Sequence, residues 1–130
     1  VSRPYIFTAS PTPATIASTR AALRLLREGV ELRRQLWKNV HQLYSQLKEL
    51  DYRLGPEPSP VIATILETPQ QALALWKGLL ENGIYVNLVL PPATPEGNSL
   101  VRCSVSAVHT SEQMNHVGKT FARLRETVFQ

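Results

Sequence analysis

One cysteine, Cys103, is all the thiol chemistry the chain holds, so no internal disulfide can form. A lone thiol within an apolar stretch reads as a small buried side chain in a reducing setting, not as a nucleophile. No apolar run approaches the ~20 residues of a membrane-spanning helix. No charged start leads into a small-residue cleavage site, so no signal peptide is expected and a cytoplasmic location is. Neither the dinucleotide nor the phosphate-loop glycine spacing occurs, and no paired carboxylates or Cys/His constellation suggest a hydrolase or a metal centre. Acidic residues are outnumbered 10 to 14, a net charge of +4. The basic residues Arg20, Arg24, Arg27, Arg33, Arg34 and Lys38 are spread along helical faces. Without a concentrated stripe or a known module, a nucleic-acid partner is not expected. No internal repeat is present, and the ten prolines mark element boundaries and form no low-complexity tract.

What is present is the patterning of one globular domain of 130 residues. Val1 to Ser10 is apolar and strand-like, a segment that needs a partner. Pro11 and Pro13 suit a helix entry, and Ala14 to Glu28 predicts a helix with Ile16, Leu23 and Leu26 on its apolar side. After Gly29, a longer helix is expected from about Glu31 to Leu50, with Leu36, Val40, Leu43, Leu47 and Leu50 on one face. His41 on that helix has no ligating neighbours and reads as an ordinary histidine. A loop at Gly55–Pro60 leads to a β-branched strand, Val61 to Leu66. Thr68, Pro69 and Gln71 form a capping signature for a third helix, which Asn82 and Gly83 stop. Thr110 and Gln113 repeat that signature before a last helix striped by Met114, Val117, Phe121, Leu124 and Val128.

Between these helices lies Tyr85 to Thr110, where the polar chemistry gathers. Tyr85 to Leu90 is rich in strand formers, and Pro91, Pro92, Pro95 and Gly97 impose a loop. Ser99 to Ser106 alternates: Val101, Cys103 and Val105 share one face, and Arg102 lies on the other with Leu100, Ser104 and Ser106. A guanidinium there is a rigid charged fork suited to a carboxylate or phosphate. By spacing alone an arginine whose head reaches water at the sheet rim is the commoner case. The element order predicts an α+β fold, a small three-stranded, mostly antiparallel sheet with helices on one face.

Four stretches in order resemble one family: RPYIFTAS at Arg3–Ser10, ELRRQLWKN at Glu31–Asn39, GIYVN at Gly83–Asn87, and LPPATPEG with LVRCSVSAVHT from Leu90. They are similar to the C-terminal part of the pyridoxal-phosphate-dependent α-oxoamine synthases of fold type I, nearest to the serine palmitoyltransferase branch. The resemblance implies residues 1–12 as a lead-in from a larger domain and 13–130 as the small C-terminal domain. It also implies decarboxylative condensation of an amino acid, serine by the branch, with an acyl-CoA such as palmitoyl-CoA, in a homodimer. Arg102 matches the arginine that grips the amino-acid carboxylate. Pro91, Pro92, Ala93, Thr94 and Pro95 match a mobile loop that closes over substrate. Thr8 and Ala9 match a pair that reaches the cofactor phosphate across the dimer interface. The cofactor lysine, the stacking histidine and the aspartate facing the pyridine nitrogen match nothing in this chain, so the resemblance implies a part that is inactive alone. Leu90 stands where the branch carries an arginine. A non-catalytic module of a heterodimeric synthase, a homologue using glycine or alanine, and a free-standing interaction domain are the alternatives.

Overall fold

The computed structural model describes residues 9–94 and 97–129. The chain divides into two compact units, Val1–Leu32 and Arg33–Gln130. In the first, helix α1 (Pro13–Glu28) starts where Thr12 accepts a hydrogen bond from the Thr15 amide at 3.2 Å, with proline in the first turn. No residue of α1 is buried: Ile16, Leu23 and Leu26 are each at least half exposed. Helix α2 runs from Val30 to Glu49 and carries the chain into the second unit.

The second unit is α+β. A four-stranded sheet is built from β1 (Arg53–Leu54), β2 (Val61–Leu66), β3 (Asn87–Val89) and β4 (Ser99–Ser104), in the order β1-β2-β4-β3. All three pairings are antiparallel. The sequence predicts three strands and the structure has four. The extra one, β1, is two residues long, too short to show any periodicity, and exists because β2 offers it an edge. Strand β2 has the expected bounds, whereas β3 is only Asn87–Val89 and β4 stops at Ser104, both shorter than expected.

Helices α3 (Pro69–Glu81) and α4 (Ser111–Val128) open on complete capping boxes, Thr68 with Gln71 and Thr110 with Gln113. Gly83, at φ 74°, takes the left-handed turn after α3 at little steric cost, and the Ile84 amide then closes on the Leu79 carbonyl at 2.9 Å. The second unit's helices cover one sheet face. Ile62, Thr64 and Leu66 of β2 and Ser99, Val101 and Cys103 of β4 point into it. Val40, Leu43 and Leu47 of α2, Leu75 and Leu79 of α3 and Met114 and Phe121 of α4 complete that core. Tyr52 meets Phe121 edge-on at 5.4 Å, and its hydroxyl donates to the Phe121 carbonyl at 3.0 Å.

Two buried polar groups contrast. Asn39 is fully buried: its amide donates to the carbonyls of Ser106 at 3.0 Å and His109 at 2.8 Å, and its oxygen accepts from Gln35 at 2.9 Å. It thereby ties α2 to the turn between β4 and α4. The buried Thr64 hydroxyl has no partner. Removing one member of a satisfied buried set costs the desolvation of the groups left behind, whereas removing an orphan relieves it. Asn39→Ala is therefore expected to lower unfolding free energy by about 2 kcal/mol or more, and Thr64→Val to leave it unchanged or raise it. Urea unfolding midpoints at constant slope check both; equal losses in the two variants would refute the contrast.

Candidate functional site

The site is built on β4, the central partner of both β2 and β3. Alternation along β4 buries Ser99, Val101 and Cys103 and exposes Arg102 and Ser104. Register fixes the neighbours of Arg102: Ala63 of β2 on one side and Asn87 of β3 on the other. The alanine leaves lateral room for the guanidinium. Arg102 and Asn87 are both exposed, and neither side chain has a hydrogen-bond or ion-pair partner among the described residues. They share a groove of about 330 Å³ with Trp76, Tyr85 and Val89. The Trp76 indole N–H donates to the Val86 carbonyl at 3.1 Å, which holds the lead-in to β3 against α3. In the flanking row on this open face Ile65, Leu100 and Val89 are apolar, and Arg53 of β1 stands at its far end beside Ile65.

The Pro-rich loop joins β3 to β4, so it springs from the same hairpin. Val89 pairs with Leu100 beneath it, and Arg102 lies one pleat repeat further, about 7 Å along the strand. Pro91, Pro92 and Ala93 are exposed, with a cis bond between the two prolines. The Ala93 amide donates to the Leu90 carbonyl at 3.0 Å. Thr94 is buried and its hydroxyl donates to the Asn98 carbonyl. Leu90 is half-buried and packs against the core. Pro95 and Thr8 lie outside the described residues; Ala9 is exposed, in no regular element, and belongs to the first unit. Arg102 and the loop are thus brought together by one hairpin.

Asn87 ends the GIYVN stretch, but nothing there marks it as a site residue, and Trp76 lies in no motif. Asn87 becomes visible only once pairing register is known, because nothing local says which residue of one strand faces Arg102 of another. His41 is exposed and lies beside Trp37, with ring centroids 5.7 Å apart. Among the described residues no three His, Cys, Asp or Glu side chains gather to hold a metal ion, and no helix is long and apolar enough to cross a membrane.

A second recess, of about 280 Å³, opens beyond the C-terminal end of β4 and is lined by Cys103, Ser104, His109 and His116. His109 Nδ1 accepts the Ser106 amide at 3.2 Å, so in the neutral ring the proton sits on Nε2. Burial pushes the Cys103 thiol from 9.0 up to about 12, which removes it as a nucleophile at neutral pH.

The model of the Aminotransferase class I and II family matches residues 1–121. The chain belongs to this family. It is 47% identical over 124 residues to the serine palmitoyltransferase of Caulobacter vibrioides (strain NA1000 / CB15N), covering 95% of this chain and 31% of that protein. It is 44% identical over 117 residues to the serine palmitoyltransferase of Sphingomonas paucimobilis, covering 88% and 28%. A high-resolution structure of serine palmitoyltransferase with pyridoxal phosphate superposes at a TM-score of 0.88 and 42% identity, over 98% of this chain and 32% of that one. The chain therefore spans about a third of the length of these relatives.

The shifted thiol has a company in the core. Burial also raises the Tyr52 hydroxyl from 10.0 to about 12, against a smaller opposing pull from Arg125. Below pH 9 both groups are protonated in folded and unfolded chains alike. Above it the unfolded chain releases protons that the folded chain keeps, so stability falls as pH rises from about 9 toward 12. Unfolding midpoints across that range are expected to decline, and Cys103 is expected to resist a thiol reagent at pH 8 until denaturant is added. A flat profile or rapid native labelling would contradict the buried state.

Proposed function

We propose that the chain is the C-terminal small domain of a pyridoxal-phosphate-dependent acyltransferase of the serine palmitoyltransferase type, with residues 1–12 leading in from a larger domain. The parent joins an amino acid, serine, to an acyl-CoA, palmitoyl-CoA, with loss of carbon dioxide, giving a 3-ketosphinganine-type product for sphingolipid synthesis, as a cytoplasmic homodimer. The single observation that supports this reading best is Arg102, an exposed fork with no partner among the described residues, on the strand face opposite the buried Val101/Cys103 row. The similarity to serine palmitoyltransferases over nearly the whole chain supports it further.

The residues present suit part of such a site. Arg102 receives the amino-acid carboxylate, since an always-charged planar fork matches its two oxygens. The Pro91–Pro95 loop, on the same hairpin, covers the bound substrate and keeps water from it. Thr8 and Ala9 offer a hydroxyl and an amide to the cofactor phosphate across the dimer. When bound, pyridoxal phosphate supplies an electron sink. The lysine that holds it is not one of these residues: Lys38, Lys48, Lys77 and Lys119 all lie exposed on helices, and none lines the Arg102 groove. That lysine belongs to the remaining two thirds of the parent, and the 130-residue chain is inactive alone.

In the full-length parent, Arg102→Ala is expected to weaken L-serine binding roughly a hundredfold while cofactor content stays unchanged. A charged hydrogen bond is worth about 1.5–3 kcal/mol, and the fork makes two. Arg102→Lys recovers part of the loss, because a point charge cannot reproduce the fork. Calorimetric titration of serine into the cofactor-loaded protein measures this; an unchanged dissociation constant in Arg102→Ala would make the residue an ordinary rim arginine.

A further inference from the structure

We infer that Asn87 selects the amino-acid substrate by its side chain: its carboxamide hydrogen-bonds the hydroxyl of a β-hydroxy amino acid whose carboxylate is held by Arg102. The inference rests on the reading of Arg102 as the carboxylate anchor and adds to it the group that tells serine from alanine or glycine.

Four observations carry it. Asn87 is directly opposite Arg102 in the β3–β4 ladder, so their Cβ atoms are neighbours at about 5 Å. Both side chains stand on the open face and line the same groove. The Asn87 amide has no hydrogen-bond partner among the described residues, so its oxygen and its N–H groups are available to a ligand. Apart from Asn87, the ladder neighbours of Arg102 on that face are not polar, and the other side-chain hydroxyl lining the groove, that of Tyr85, belongs to the lead-in to β3, two residues before Asn87. Ala63 opposite it on β2 is a methyl, and Ile65, Leu100 and Val89 are apolar. Ser104 is polar and lies on the same face, but it sits a pleat repeat away and lines the other recess, with His109.

The chemistry follows from where serine carries its hydroxyl. It is on the carbon next to the α-carbon, so a fork that grips the carboxylate brings the hydroxyl alongside the residue beside the fork. A carboxamide both accepts and donates, so its oxygen accepts a hydrogen bond from the substrate hydroxyl while its N–H can reach the nearer carboxylate oxygen. Alanine and glycine, gripped by the same fork, leave that amide unpaired against the substrate. A site that pairs with a substrate hydroxyl discriminates against analogues lacking it for this reason. Because this groove is open, the effect here is modest, on the order of tenfold, not the largest seen in closed sites.

The test measures dissociation constants of L-serine, L-alanine and glycine on the full-length, cofactor-loaded protein, in wild type, Asn87→Ala, Ser104→Ala and Arg102→Ala. The expected result is a serine constant raised about tenfold or more in Asn87→Ala, alanine and glycine constants within about twofold of wild type, and no change in Ser104→Ala. Asn87 is exposed on an edge strand, and equal cofactor content and melting temperature establish that the variant is folded. Serine and alanine weakened alike, or neither weakened, would overturn the inference. So would loss of discrimination in Ser104→Ala with none in Asn87→Ala. If Arg102→Ala leaves all three amino acids bound as before, the carboxylate reading itself fails, whereas a loss in Arg102→Ala beside unchanged preference in Asn87→Ala sinks the Asn87 assignment alone.

Discussion

Everything proposed for this chain depends on the register of β4. A slip of one residue against β2 or β3 would turn Arg102 under the helices and put Val101 and Cys103 in water. The hydrophobic effect forbids that slip. Val101 is fully inaccessible and Cys103 nearly so, and burying an unpaired guanidinium costs far more than it could regain. The apolar row on the covered face thus orients the charged residue on the other. The same constraint sets the neighbours, because the pleat that aims Arg102 outward also sets Ala63 and Asn87 level with it. A methyl on one side gives the fork space, and an amide on the other gives it a polar companion.

The far end of β4 is held just as firmly, by a buried amide. Asn39 reaches from α2 to the carbonyls of Ser106 and His109, and Thr110 then caps α4. Besides that amide, the Ser106 carbonyl has the local turn bond from the His109 amide, at 3.3 Å. The strand carrying Arg102 is therefore anchored at its C-terminal end by a side chain, and at its N-terminal end by the hairpin loop, where Thr94 closes on Asn98. Rigid support of this kind is what lets a site on an edge-proximal hairpin keep a fixed geometry.

Much of this was legible in the sequence, and the reasons divide cleanly. Helices showed because periodicity and capping chemistry are local: Thr68 with Gln71 and Thr110 with Gln113 announce α3 and α4 within four residues. The outward direction of Arg102 showed because alternation is local too. Strand β1 did not show, since two residues carry no pattern and its existence depends on the edge of β2. Asn87 did not show as a partner of Arg102, because register is decided by contacts between residues far apart in the chain. The apolar stripe expected on α1 is there in the sequence, yet Ile16, Leu23 and Leu26 are exposed. Periodicity tells which face wants burial, not what covers it.

The uncompensated charge of Arg102 is the last link from fold to function. A surface arginine normally lies along apolar neighbours or meets a carboxylate, as Arg125 meets Asp51 at 3.4 Å here. Beside Arg102 the rows on the open face hold Val61 with Ser104, and Arg53 and Ile65 with Leu100 and Val89, and among the described residues not one acidic side chain. An internal carboxylate in that position would compete with any anionic ligand for the fork. Its absence keeps the guanidinium available, and the mostly apolar surroundings lower the local polarity around it, which would strengthen a charge-assisted pair with an anionic ligand. The arrangement is poor as a device for stabilising the fold, since it satisfies nothing among the described residues of its unit. It is well suited to holding a small anion at the end of a rigid hairpin.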